Sequence, residues 1–189
     1  MPAPRLVSPR LCLREWEQGD LPGFDAMNAD ARVMRLLQGP LTPEESAASL
    51  SRITATWLEN GWGLFAVERR DDSAFLGFCG VAPVTFDADF EPKIEIGWRL
   101  AYEHWGYGYV TEAAHHVIDW VFSALAWPEV VSFTREENAR SRAVMDRLGM
   151  VREPEHDFDL PSPPRGEGGP RHVFYRLKAA DWFRSNPRV

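Results

Sequence analysis

Several short stretches of the chain are rich in apolar residues and predict β-strands, and one of them alternates apolar and polar residues with a period of two. Residues 11–16 form the first stretch. Residues 63–70 and 74–85 form the next two, and the turn-like Asp-Asp-Ser between them indicates an antiparallel hairpin. In residues 93–100 an apolar set alternates regularly with a polar one, which predicts a further strand. The remaining predicted strands are residues 129–134, 150–160 and 171–179.

Other segments repeat their apolar residues every three or four positions, which predicts amphipathic helices. One helix begins after Thr42, a good N-cap, with Pro43 in its first turn and Glu45 completing a capping box. Gly61 is suited to end it. Residues 110–125 form one continuous apolar stripe and predict a long helix. Shorter helices are predicted within residues 17–30 and over residues 138–148.

The order of these elements predicts the fold class. An early hairpin followed by strand–helix–strand units is typical of an α/β protein with a mixed, mostly antiparallel central sheet and helices on both faces. The pattern contains about seven strands. A length of 189 residues predicts a single domain over residues 1–189. Residues 161–170, rich in proline and glycine, are predicted to form a mobile loop.

Composition narrows the classes of function. The chain has 21 basic and 28 acidic residues, a net charge of −7, so nothing indicates binding to nucleic acid or to an anionic membrane. No apolar run approaches membrane-spanning length, and the N-terminus lacks the apolar core of a signal peptide. Cys12 and Cys79 lie in strand-like runs and are predicted to be buried free thiols, which favours a reducing cytoplasm.

No metal site is predicted. The sequence has no spaced set of cysteines and histidines, and the adjacent His115 and His116 cannot share one helix face.

Gly106 and Gly108 stand between the strand predicted for residues 93–100 and the long helix. The first turn of a helix has unpaired N–H groups and a dipole that favours an anion, and glycine leaves that backbone open. Gly-x-Gly alone is a weak signal, and a purely structural turn is the alternative. A Walker-type loop is excluded because no Gly-Lys-Ser/Thr follows. A dinucleotide fold is excluded because no third glycine follows at its spacing and the hairpin comes first.

Residues 94–122 (IEIGWRLAYEHWGYGYVTEAAHHVIDWVF) resemble the acetyl-CoA-binding motif of the GNAT acetyltransferases. That family carries Gln/Arg-x-x-Gly-x-Gly/Ala between a central strand and a long helix, and the backbone amides of the turn hold the CoA pyrophosphate. The matching residues here are Glu103, Gly106 and Gly108. Glu103 departs from the family's Gln/Arg, which puts a side-chain role there in doubt but keeps the backbone cradle.

Residues 134–150 (TREENARSRAVMDRLGM) look like a second GNAT segment, Asn-x-x-Ser followed by Leu-Gly. It belongs to the branch that includes the RimJ/RimL-type ribosomal-protein N-terminal acetyltransferases. Asn138 and Ser141 match its polar pair, and Leu148 and Gly149 match its closing turn. The resemblance spans roughly residues 9–183, which is most of the chain.

The resemblance implies acetyl-CoA as the cofactor. Backbone groups of Trp98, Arg99 and Leu100 would pair with the pantetheine, and Asn138 would be both a helix cap and a cofactor contact. Ser141 would bond the pantetheine or protonate the leaving thiolate. The phosphates would be bound mostly by backbone N–H groups of His104, Trp105, Gly106, Tyr107, Gly108 and Tyr109.

Alternatives remain open at several of these residues. Tyr107 and Tyr109 would either flank the phosphates or pack against the helix start. His104 would assist with phosphate or proton transfer, or lie at the surface. Ser141 would serve the cofactor, or only satisfy backbone groups in the first turn of its helix. Some GNAT branches use a tyrosine four residues after this serine as the acid; Met145 stands there, so that acid is missing.

Glu95 is the best candidate for the general base. It is a carboxylate in an otherwise apolar strand, and partial burial would raise its pKa toward a useful value. Many GNAT enzymes place their base on the matching strand. The alternative is an ion pair between Glu95 and an arginine such as Arg99, which would only order the sheet.

The resemblance implies an N-acetyltransferase in which an amine attacks the acetyl thioester directly. The acceptor is a protein N-terminus or a small amine, and the negative net charge suits a cationic one. Trp57 and Trp62 would shape the acceptor pocket or pack in the core. Many relatives are homodimers, although no surface here identifies an interface. A non-catalytic acyl-CoA-binding or sensor protein is the alternative, and Glu103 and Met145 keep it open.

Overall fold

The computed structural model describes residues 3–86, 89–92, 94–161 and 168–187. The chain divides into two compact units. Unit 1 comprises Met1–Ala82 and Gly97–Trp120, and unit 2 comprises Pro83–Ile96 and Val121–Val189.

Among the described residues, four antiparallel strands belong to unit 1, the last of them apart from its final residue. They are β1 (Leu6–Val7), β2 (Leu11–Arg14), β3 (Leu64–Arg69) and β4 (Phe75–Pro83). These strands pair antiparallel in that order, which confirms the predicted hairpin of β3 and β4. The next strand, β5 (Ile94–Leu100), follows β4 in the strand order and enters unit 1 at Gly97.

The helices of unit 1 are α1 (Leu21–Ala29), α2 (Ala31–Met34), α3 (Pro43–Asn60) and the greater part of α4 (Tyr109–Ala124). The capping box of α3 is confirmed: the Thr42 hydroxyl accepts from the Glu45 amide at 3.2 Å, and the Glu45 carboxylate accepts from the Thr42 amide at 2.8 Å. Gly61 ends α3 in the left-handed region, with φ 73°. Short-range signals therefore place this helix correctly.

Two apolar groups form the core of unit 1. Ala113, Ala114, Val117 and Ile118 of α4 are fully buried, which confirms the predicted apolar stripe. A second group joins α1 and α2 to the strands, and it consists of Phe24, Met27, Val33, Met34, Phe78 and Ala101.

Unit 2 contains β6 (Glu129–Arg135), α5 (Ala139–Arg147), β7 (Val151–Arg152), β8 (Phe158–Pro161), β9 (Gly168–Lys178) and α6 (Ala179–Ser185). Strand β6 is parallel to the first part of β5 and antiparallel to β9. Strands β7 and β8 both pair antiparallel with β9. The predicted α/β class with mostly antiparallel strands is thus confirmed.

Three sequence predictions need correction. The single strand expected over residues 150–160 is divided into β7, a 3-10 helix (Pro154–His156) and β8, because Pro154 has no N–H for a strand ladder. The described residues contain nine strands instead of about seven, since β1 was not anticipated and one predicted strand became two. Both ends of the loop predicted over residues 161–170 belong to strands, because β8 ends at Pro161 and β9 begins at Gly168; residues 162–167 lie outside the described ones.

Both cysteines are buried free thiols, as predicted, and burial raises the pKa of the Cys79 thiol. None of the described helices has the length and apolar character needed to span a membrane.

Candidate active site

The chain turns sharply between β5 and α4, within unit 1. After Leu100 it forms a 3-10 helix (Tyr102–His104), and the Trp105 indole N–H donates to the Leu100 carbonyl at 2.9 Å. Gly106 and Gly108 then have φ values of 86° and 79°. These values lie in the region that L-residues with a Cβ rarely adopt, so the shape of this turn depends on both glycines.

The backbone N–H groups of this turn are free. Helix α4 makes its first hydrogen bond from the Glu112 amide to the Gly108 carbonyl, at 3.1 Å. Among the described residues, no amide from Gly106 to Thr111 donates a hydrogen bond to a protein acceptor. Both glycines are exposed, and a Cβ placed on Gly106 would meet no atom within 4 Å. A run of free amides in open space at a helix start has the donors and the dipole that suit an oxyanion.

Arg10, near the start of the sequence, bonds to this turn and to the first turn of α4. Its Nε donates to Glu112 Oε2 at 2.7 Å, and its Nη1 donates to the Tyr107 carbonyl at 3.0 Å. Its guanidinium carbon lies 4.7 Å from the centre of the Tyr109 ring. Arg10 therefore holds the turn in place and brings a half-exposed positive charge beside the free amides.

Glu112 is the anchor for Arg10. Its Oε1 accepts from the Ser8 hydroxyl at 2.6 Å and from the Arg10 amide at 3.0 Å. Burial raises the pKa of Glu112, but the hydrogen bonds from Ser8 and Arg10 outweigh it, so this pKa lies below its ordinary value. Glu112 is therefore ionised at neutral pH. Sequence reasoning missed Arg10 and Glu112, and the only available signal was an acidic residue in the first turn of α4.

The other side chains of the turn divide between packing and solvent. Tyr107 is exposed and stacks on buried Tyr109, with 5.7 Å between ring centres, so Tyr109 matches the packing alternative. Burial lowers the pKa of His104, which is then neutral at pH 7 and brings no charge to a phosphate. Glu103 is exposed.

The end of β5 enters the turn directly. Trp98 and Arg99 are partly buried, and Leu100 is buried. On one edge the strand lies against β4: the Ala101 amide donates to the Leu76 carbonyl at 2.9 Å, and a Cβ on Gly77 would collide with the Arg99 carbonyl. The Arg99 side chain extends to Asn28.

Glu95 lies on an apolar face of unit 2. It is in register with Val131 of β6, so the two side chains share one face, which also carries Phe133 and Phe174. The Glu95 side chain makes no hydrogen bond or ion pair with a described residue, and burial raises the pKa of its carboxyl to about 8. This does not match the alternative of an ion pair with Arg99. Glu95 as a whole residue is partly buried.

Asn138 caps α5, as predicted. Its Oδ1 accepts from the Ser141 amide at 3.3 Å, and its Nδ2 donates to the Thr134 hydroxyl at 2.9 Å and to Ser141 Oγ at 3.2 Å. Ser141 is partly exposed, and its own hydroxyl proton is donated to no described acceptor. Met145 is buried, so a thioether fills the position of the missing acid.

The remaining candidates lie elsewhere. Trp57 packs on Phe65 with 4.8 Å between ring centres and donates to the Leu64 carbonyl, as a core residue does; Trp62 is partly buried. A separate cleft of about 320 Å³ is open between α1 and α3, where Trp16, Leu50 and Thr54 line it. His115 is exposed and His116 is bonded to the Glu112 carbonyl, and no group of three potential metal ligands occurs in the described part of the chain.

Comparison with known proteins places this arrangement in context. The family model described as an acetyltransferase (GNAT) domain matches residues 10–151. The chain is 26% identical over 179 residues to the uncharacterized N-acetyltransferase YnaD of Bacillus subtilis, covering 94% of this chain and 98% of that protein. It is 28% identical to the FsC-acetyl coenzyme A-N(2)-transacetylase of Aspergillus fumigatus, over 84% of this chain and 69% of that protein. The crystal structure of an acetyltransferase from Agrobacterium tumefaciens superposes with a TM-score of 0.75 at 28% identity, over 94% and 95% of the two chains.

Proposed function

The chain belongs to the GNAT family of acetyltransferases, and from this premise we propose that it transfers an acetyl group from acetyl-CoA to a primary amine. The observation that supports the proposal most is the run of free amides from Gly106 to Thr111, in open space at the start of α4. The family and the relatives support an acyltransferase over the alternative of a non-catalytic sensor.

The residues present fit acetyl-CoA. The free amides of the glycine turn suit its diphosphate, and Arg10 adds a positive charge beside them. We assign the pantetheine to backbone groups of Trp98, Arg99 and Leu100, where a strand edge would pair with the extended arm. We assign further contacts to Asn138 and Ser141. When bound, acetyl-CoA supplies an acetyl group activated as a thioester.

Glu95 is assigned as the general base. The apolar face around Glu95 disfavours its carboxylate form and raises its pKa to about 8. A general base is most effective when its pKa lies near the working pH, so this value suits a residue that takes a proton from an amine. As the carboxylate, Glu95 takes one proton from the acceptor amine, directly or through a water. Ser141 is assigned as the residue that would give a proton to the departing sulfur and regain one from water, because its hydroxyl proton is not committed within the described structure.

The acceptor is proposed as a protein N-terminus or a small amine. The Asn138–Ser141 segment supports the RimJ/RimL-type branch, in which the acceptor is a protein N-terminus. The chemistry of the assigned residues serves either kind of amine equally. A cytoplasmic location, a homodimer and a single domain stay predictions.

A titration with CoA tests the cradle directly. The proposal predicts measurable heat with CoA, and no detectable binding of free pantetheine at the same concentrations, because pantetheine lacks the diphosphate. Equal affinity for CoA and pantetheine would contradict the assignment of the phosphates to the glycine turn.

Replacing Arg10 by glutamine is expected to weaken CoA binding by about 10-fold, because the turn loses the hydrogen bonds from Arg10 and a neighbouring positive charge. Calorimetry gives the affinity, and turnover with acetylated pantetheine gives a second measurement that should change little. The control is Arg52→Gln, which removes the same charge from an exposed position on α3. If both variants bind CoA equally well, Arg10 has no role in the site.

A further inference from the structure

Arg99 is a largely desolvated cation whose charge is not paired with a carboxylate among the described residues. It lies on β5, its Nη1 donates to Asn28 Oδ1 at 2.7 Å, and its guanidinium carbon lies 5.3 Å from the centre of the Phe78 ring. A guanidinium has five N–H donors, yet this is the one hydrogen bond that Arg99 makes to the described residues. Most of its donors are therefore available to another group.

Among the described residues, no carboxylate forms an ion pair with Arg99. Burial lowers the pKa of Arg99 to about 10, with no opposing effect from an acidic neighbour, so the group is still cationic at neutral pH. Two acids that flank the Asn28 segment are engaged elsewhere: Asp20 bonds Arg14 at 2.8 Å, and Asp30 bonds Arg32 at 2.6 Å. Asp25, one turn before Asn28 on α1, forms no ion pair with Arg99 in the described structure. A buried charge without a partner destabilises a protein, which makes such a group a candidate for ligand recognition.

The position of the guanidinium is fixed by its surroundings. Asn28 is fully buried, and its Nδ2 donates to the Ser46 hydroxyl at 3.3 Å. Its backbone carbonyl accepts from the Leu41 amide at 3.0 Å. Asn28 is therefore fixed in place, and its Oδ1 accepts from Nη1 of Arg99. The Phe78 ring packs against the Arg99 guanidinium. The free donors are preorganised, which reduces the entropy lost when an anion binds.

We propose that Arg99 binds an anionic oxygen group, a carboxylate or a phosphate, carried by the acceptor amine. The inference rests on the proposed function. The diphosphate of acetyl-CoA is assigned to the turn after β5, its 3′-phosphate lies beyond the diphosphate on the adenosine, and its pantetheine arm is uncharged. In this assignment the part of the cofactor that runs along β5 offers no anion to Arg99. The acceptor must then supply it, which makes a zwitterionic amine the preferred substrate class. The planar fork of arginine suits a carboxylate or a phosphate through paired hydrogen bonds.

The test compares matched amines that differ only in this group. One pair is an α-amino acid and its carboxamide, and the other is phosphoethanolamine and ethanolamine. The wild-type protein is expected to acetylate the anionic member with a kcat/KM about 10- to 100-fold above that of the neutral member. The more strongly preferred pair identifies carboxylate or phosphate as the group recognised.

Two variants of the site give the decisive comparison. Arg99→Gln is expected to lower kcat/KM for the anionic member far more than for the neutral member, so that the preference disappears, and Arg99→Lys should restore part of it. Asn28→Asp places a carboxylate beside Arg99 at nearly unchanged volume, and it should abolish the preference while leaving turnover of neutral amines intact. The control, Arg52→Gln on the exposed side of α3, should keep the full preference.

The possible outcomes separate the two levels of the proposal. Acetylation of no amine at all would overturn the proposed function. Acetylation of neutral and anionic members with the same efficiency would overturn the role of Arg99 and leave the proposed function standing. An equal loss for both members in Arg99→Gln and Asn28→Asp would show that Arg99 is only structural, which also overturns the inference.

Discussion

Replacing Gly106 by valine is expected to raise the KM for acetyl-CoA by roughly 10- to 100-fold or to abolish binding, while the protein stays folded. Gly106 has φ 86°, and a β-branched residue strongly disfavours that region, so the turn must change its backbone. A change there reorients the free amides on which the phosphate assignment depends. A Cβ at this position has open space around it, so no clash in the core accompanies the change. Calorimetric titration with CoA and steady-state kinetics measure the effect.

Gly39→Val is the matched control for Gly106→Val. Gly39 has φ 96°, a Cβ on it would meet no atom within 4 Å, and it lies in a different loop of unit 1. It introduces the same kind of backbone strain away from the site, so its stability should fall similarly and its CoA affinity should not. If Gly106→Val and Gly39→Val bind CoA alike, the glycine turn is only structural, and the assignment of the CoA diphosphate to its free amides is wrong.

Replacing Glu95 by glutamine is expected to lower kcat by roughly 100-fold or more, with the affinity for CoA unchanged, because the variant has no group to take the proton of the amine. The pH dependence gives the sharper result. Because the pKa of Glu95 is about 8, the wild-type rate should rise as the pH passes through 8 and the carboxylate forms. The Gln variant should lose this rise. A variant with wild-type turnover and pH profile would remove Glu95 as the base.

The raised pKa of Glu95 also predicts that the free energy of unfolding decreases as the pH rises. The folded protein keeps the Glu95 proton up to about pH 8, whereas the unfolded chain loses it near the ordinary pKa of a glutamate. The folded state thus binds more protons in this window, and the free energy of unfolding should fall as the pH rises through it. Glu95→Gln should remove this decline, as urea unfolding at pH 5 and pH 8.5 would show. Glu137→Gln, at an exposed position of unit 2, is the control and should retain it.

Local signals in the sequence predicted the elements that local physics determines. Thr42, Glu45 and Gly61 set the ends of α3 through hydrogen bonds and backbone angles within a few residues. The glycine turn and the cap at Asn138 were predictable for the same reason. At Pro154 the alternating pattern was a poorer guide, because the missing N–H interrupts a strand whatever its apolar pattern.

The contacts that complete the candidate site depend on residues far apart in the sequence. Arg10 meets Glu112 across 102 positions, and Arg99 meets Asn28 across 71. Neither pair has a pattern in the sequence, because the partners are brought together only by the strand order and by the packing of α1. Glu95 was selected from its sequence context, but the lack of any described partner for it was visible only in the structure.

The most direct measurement of the central claim is transfer from acetyl-CoA to a panel of amines, with release of the CoA thiol and the mass of the product followed together. The panel should contain peptides with free N-termini, small amines with and without an anionic group, and no amine. The account predicts thiol release that depends on an amine and matches the formation of a singly acetylated product. CoA binding with no amine-dependent release from any member would contradict it and would identify the chain as a binder of acyl-CoA.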